Sequence, residues 1–119
     1  MSQENVKVTI RNLNQNTSIL DIDGEINAFA ENSLMGAYNE ATDTGAENIL
    51  LNFTNLDYMN SSGIGLLVTL LIRVQRQKQV LLAFGLSDHY KQIFELTRLN
   101  EAIAIYETES EALASLAGG

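Results

Sequence analysis

From Val6 to Leu13 apolar and polar residues alternate, with Val6, Val8 and Ile10 on one face and Lys7, Thr9 and Arg11 on the other, which predicts a half-exposed edge strand. "NQN" at 14–16 is turn chemistry. "TSILDIDGEI" then alternates again, setting Leu20, Ile22 and Ile26 against Asp21, Asp23 and Glu25, so a hairpin joins the two strands. Gly24 marks a bulge or a close backbone approach near the end of the second. Between Phe29 and Thr42 the period changes to that of an amphipathic helix, with Phe29, Leu34, Ala37, Tyr38 and Ala41 on its apolar face and Gly45 as its C-terminal cap.

"NILLNF" at 48–53 has the consecutive aliphatics of a strand buried on both faces, as in parallel sheets. Gly63 to Gln77 reads as a helix with Ile64, Leu67, Val68, Leu71 and Val74 inward and with Arg73, Arg76 and Lys78 near its C-terminal end, where the dipole favours cations. Leu66 and Leu70 fall off that stripe, so they either pack under a neighbouring helix or form an exposed apolar patch for a partner. A strand at 80–84, a helix at 89–99, a strand at 102–106 and a short helix at 110–117 complete the order. The expected fold is α/β: one domain over 1–119, with a mainly parallel sheet of about four or five strands, an N-terminal hairpin strand, right-handed crossovers and about four helices. Disorder is expected at 1–4 and 117–119.

Charge narrows the partners. Seven Lys plus Arg against fifteen Asp plus Glu give a net charge of −8, which repels nucleic acid and anionic membranes. The chain has no cysteine, excluding disulfides, thiolate zinc sites and a cysteine nucleophile, and its single histidine, His89, leaves little scope for imidazole metal sites. Neither a metal nor a cofactor is expected. The start lacks a signal-peptide pattern and the longest apolar run, near Ile64 to Ile72, is short of the ~20 residues of a membrane span, so a cytoplasmic protein is expected.

The chemistry centres on "NSSGIG" at 60–65. Ser61 and Ser62 stand where a helix begins, and the simplest role is that one of them is its N-cap. A phosphate on either would lie beside free N–H groups at the positive end of the helix dipole, with Gly63 and Gly65 leaving the backbone uncovered. A serine hydrolase is disfavoured because the G-x-S-x-G elbow is missing, and "GIG" is no dinucleotide fingerprint because Val68 replaces the third glycine. Asp21, Asp23 and Glu25 read as the solvated face of a strand rather than a metal cluster, and His89, after Ser87 and Asp88, as part of a helix start rather than a general base.

"NLDYMNSSGIGLLVTLL" resembles the STAS domain family and, within it, bacterial anti-anti-sigma factors, whose hallmark is Asp-Ser-Ser/Thr-Gly-x-Gly opening a helix. "LDIDGEINAF", "NILLNFTNLDYM" and "IFELTRLNEAIAIYETESEAL" resemble the family's other elements, so the likeness spans nearly the whole chain. The resemblance implies a non-enzymatic regulator whose Ser62, with Ser61 as the alternative, is phosphorylated by an anti-sigma factor that is also a serine kinase. It implies further that the unmodified form binds that factor and that a metal-dependent serine phosphatase restores it. The expected contact surface comprises Asp23, Glu25, Asn60, Ser61, Ser62, Gly63, Ile64, Leu66, Ser87 and Asp88, on a protein expected to be a monomer. Asn60 departs from the family's aspartate, keeping hydrogen-bonding capacity but not charge. That departure favours the alternative, a constitutive STAS subunit of a transporter or stress-signalling scaffold in which Ser62 only caps its helix.

Overall fold

The computed structural model describes residues 5–117. Its strands are β1 (Val6–Asn12), β2 (Thr17–Ile26), β3 (Asn48–Met59), β4 (Val80–Phe84) and β5 (Ala104–Tyr106); its helices are α1 (Glu31–Asp43), α2 (Ser61–Arg76), α3 (Asp88–Leu96) and α4 (Glu109–Ala117). Short 3-10 turns occupy Ala28–Ala30 and Leu99–Glu101. The five strands form one sheet in the order β1-β2-β3-β4-β5, with β1 antiparallel to β2 and the other pairs parallel. The mainly parallel α/β architecture with an N-terminal hairpin is therefore the one the periodicity predicts. The end expected to be disordered at 1–4 lies outside the described residues, as do 118–119, whereas Ala117 is helical and closes α4.

Alternation along the buried strands divides the core in two. Leu20, Ile22, Ile49, Leu51, Leu81 and Ala83 face the larger core, which α1, α2 and α3 cover. Their neighbours Ile19, Leu50, Leu82 and Phe84 face the other way, under Ala112, Leu113 and Leu116 of α4. Because both faces are covered only part of the way along the strands, the apolar run of β3 ends before the strand does. β3 continues past the predicted 48–53 to Met59, its polar outer half paired with β2 through register shifts at Asp21/Asp23 and Gly24/Glu25.

Asp21 is not part of a solvated face. Arg11 donates to both its carboxylate oxygens, at 2.6 and 2.8 Å, and reaches Glu109 of α4 at 2.8 Å, while Asn52 donates to Asp21 at 2.7 Å. Burial pushes the Asp21 carboxyl up, but these hydrogen bonds and the Arg11 charge outweigh it and hold the group below its usual value. The same bonds, to Asp21 first and Glu109 second, raise the Arg11 guanidinium further. The cluster fastens α4 to the hairpin.

Two further expectations are corrected at α1. Phe29 lies in the 3-10 turn ahead of the helix and is 57% exposed, because Asn27 starts that turn by accepting from the Phe29 N–H at 2.9 Å. Leu34, Ala37, Tyr38 and Ala41 do form the buried face. The helix cap is Thr44, with Gly45 following it at φ 97°. Among the described residues no helix is long and apolar enough to cross a membrane.

Candidate functional site: the mouth of helix α2

β3 delivers the chain to α2 through Met59 and Asn60, at the C-terminal edge of the parallel strands, where α/β folds place their binding residues. The N-cap is Asn60, not a serine: its backbone is extended, and its side-chain oxygen accepts from the Gly63 N–H at 2.9 Å while its carbonyl accepts from Ile64 N–H at 3.0 Å. Asparagine is as good a cap as serine, and the helix starts two residues earlier than the predicted Gly63. Ser61 and Ser62 are therefore the first two helical residues, both exposed. Their amides belong to the donors that a first turn leaves without an internal partner. Ser62 is therefore not the cap of α2.

Gly63 sets the phase of the helix. A Cβ there would lie 2.2 Å from the Ile26 carbonyl oxygen and 2.8 Å from Met59 Cγ, so the first turn is pressed against the end of β2. Asn60 N–H also donates to the Ile26 oxygen, at 3.3 Å. With Gly63 inward, the buried stripe becomes Gly63, Leu67, Leu70 and Val74. Leu70 is thus fully buried rather than off the stripe, and Val68, predicted inward, is 40% exposed. Ile64, Leu66 and Leu71 are partly buried flanks.

The other expected contact residues lie on elements tied to this mouth. Glu25 stands in register with Tyr58, and Ile26 with Met59; Asp23 pairs further down, with Asn55. Ser87 caps α3 and Asp88 is its first residue, as their pairing with His89 suggested. Two residues on, the buried Tyr90 hydroxyl accepts from the Met59 N–H at 2.8 Å, which joins the start of α3 to the start of α2. Sequence reading had no role for Tyr90. The available signal was a tyrosine on the buried face of a helix, whose polar tip needs a partner. It also passed over Tyr58, 53% exposed beside the mouth.

Comparison with known proteins places this geometry. The STAS domain family model matches residues 7–112. The "Anti-sigma-B factor antagonist" of Staphylococcus aureus is 30% identical over 107 residues, covering 84% of this chain and 99% of its own. The protein of the same name in Listeria monocytogenes is 26% identical over 90% of this chain and 94% of its own. Among solved structures, the anti-sigma factor antagonist SpoIIAA in its unphosphorylated form superimposes with a TM-score of 0.74 at 20% identity, covering 94% of this chain and 99% of that one. The phosphorylated form of the Bacillus cell fate determinant SpoIIAA gives 0.71 at 20% identity, covering 92% and 98%. The matched span runs from β1 into α4 and takes in the serine-bearing mouth of α2, so the chain belongs to the STAS domain family.

Proposed function

We propose that this chain is an anti-sigma factor antagonist that works by partner switching. Unphosphorylated, it binds an anti-sigma factor that is also a serine kinase; phosphorylation of Ser62 releases that factor, and a metal-dependent serine phosphatase restores binding. It acts by binding and performs no catalysis of its own. The observation that carries the reading is the placement of Ser61 and Ser62. Both are exposed on the first turn of α2, and the cap bond that would otherwise occupy a hydroxyl is made by Asn60. The naming of the Staphylococcus and Listeria relatives supports the same reading.

The switch follows from charge. A phosphoserine adds about −1.5 to −2 charge. Beside the first-turn amides and the positive end of the helix dipole, the folded chain accommodates it. A protein packed over that turn would instead have to desolvate the dianion, a penalty of about 3 to 5 kcal/mol. At ~1.4 kcal/mol per tenfold, affinity falls by at least about a hundredfold.

The test is incubation with the kinase and ATP, followed by intact-mass measurement and peptide fragmentation. One phosphate is expected on Ser62, persisting in Ser61→Ala and absent from Ser62→Ala. Equal labelling of Ser62→Ala and the unaltered chain would show the assignment to be wrong.

A further inference from the structure

β5 closes the sheet on the side away from the hairpin and pairs with β4 alone, so its other side is an open edge. The Gly85 N–H donates to the Tyr106 carbonyl oxygen at 3.4 Å. Alternate residues of a strand turn their backbone groups to the same neighbour, so Ala104 and Tyr106 face β4 and Ile105 presents its N–H and C=O to the open side. An unpaired edge of this kind is a template for another strand.

The edge lies in a groove. Lys91 and Glu95 of α3 line it on one side and Glu111 of α4 on the other, with Ile105, Tyr106 and Glu107 between them. No residue of β3 or α2 takes part, which separates it from the serine-bearing mouth. Its floor is apolar and half-buried: Ile105 packs on the larger core and Tyr106 on the smaller one, so an added strand would find an apolar neighbour on each face.

Charge selects the occupant. A lysine can guard an open edge, but Lys91 is engaged by Glu107 and Asp88. Glu95 and Glu111 are exposed, and among the described residues no cation bridges either of them. The groove therefore carries excess negative charge on both walls. A second copy docking edge to edge about a two-fold axis would set these carboxylates against their own images.

We propose that this groove receives an extended, basic segment of another protein, which adds a strand beside β5. Main-chain bonds to Ile105 hold the segment in place, and lysine or arginine side chains on its two faces reach Glu95 and Glu111.

The probe is a capped peptide of two central valines with two lysines on either side, titrated at low ionic strength into the nitrogen-15-labelled chain and followed by NMR. Amide shifts should concentrate at Ile105 and its neighbours, and exchange of the Ile105 amide with solvent should slow. The double variant Glu95→Gln, Glu111→Gln, whose side chains are exposed, should stay folded and bind about threefold to tenfold more weakly. The same peptide N-methylated at both valines keeps its charge but loses its central donors, and should not bind at the edge. Equal binding of the methylated peptide would reduce the contact to charge attraction and overturn the proposal. Shifts centred instead on Asp23, Glu25 and Asp57, or no shifts at millimolar peptide, would also overturn it. So would a dimer by light scattering whose Ile105 amide is already protected without peptide, because a second copy then fills the edge.

Discussion

The phenolic oxygen of Tyr90 accepts a hydrogen bond from the backbone N–H of Met59 at 2.8 Å, so the first turn of α3 holds the last residue of β3 just ahead of the α2 cap. The bond is buried, and Tyr90 is only 7% exposed. Tyr90→Phe keeps the ring and leaves the Met59 N–H without a partner, which costs about 1 to 3 kcal/mol. Urea denaturation should show a lower midpoint with an unchanged slope. An unchanged midpoint would mean that water or a shifted backbone satisfies the amide.

Asn60 and the serines behave differently on truncation because only Asn60 is the cap. Asn60→Ala should lower stability by about 1 kcal/mol. Asn60→Asp should match or exceed the unaltered chain, by about 0.3 to 1 kcal/mol, since it keeps the acceptor and adds a negative charge at the helix N-terminus. Ser61→Ala and Ser62→Ala should leave the denaturation midpoint nearly where it is. A serine variant as damaging as Asn60→Ala would reassign the cap.

At Gly63 the contact is with backbone, which cannot rotate away. Gly63→Ala forces the α2 turn off the Ile26 carbonyl and should cost about 1 to 3 kcal/mol. The same substitution two residues later, at Gly65, where a Cβ would meet nothing within 4 Å, has the opposite expected sign. Thermal melts of the pair measure the contrast directly, and two shifts of the same sign would contradict the phase assigned to α2.

The Arg11–Asp21–Glu109 cluster gives the fold an acid-sensitive joint. Asp21 has a folded pKa below its unfolded value of about 3.9, so its contribution is present above that value and is lost as pH falls through the folded one. The groups are more than a quarter exposed, so solvent screening keeps the contribution small. Asp21→Asn should reduce stability at pH 7 by about 0.5 to 1 kcal/mol, and the gap should close toward pH 3 and below. A gap that persists or widens in acid would place the origin elsewhere.

Where local pattern and burial agree, the sequence is a good guide: β4 occupies the predicted Val80–Phe84, and the hairpin, the parallel order and the buried face of α1 are all legible from periodicity. The errors have a common source in contacts between distant residues. The inward face of α2 was misplaced by less than one residue step, because its most tightly packed position is Gly63, which has no side chain to register in a hydrophobic pattern. The outer half of β3 was missed because its pairing with β2 does not need apolar side chains. Within the site, a helix start beside the serines and another at Ser87 and Asp88 are readable from short-range signals, but the cap that the sequence suggests for a serine of α2 is made by Asn60. The Tyr90 bond to Met59 was not, since it spans separate elements.

The most direct measurement compares the affinity of the anti-sigma factor for two preparations of this chain, one unphosphorylated and one fully phosphorylated at Ser62, by calorimetry at fixed ionic strength. The account predicts binding weaker by at least about a hundredfold for the phosphorylated form, with both forms equally folded by circular dichroism. Equal affinity for the two would contradict it.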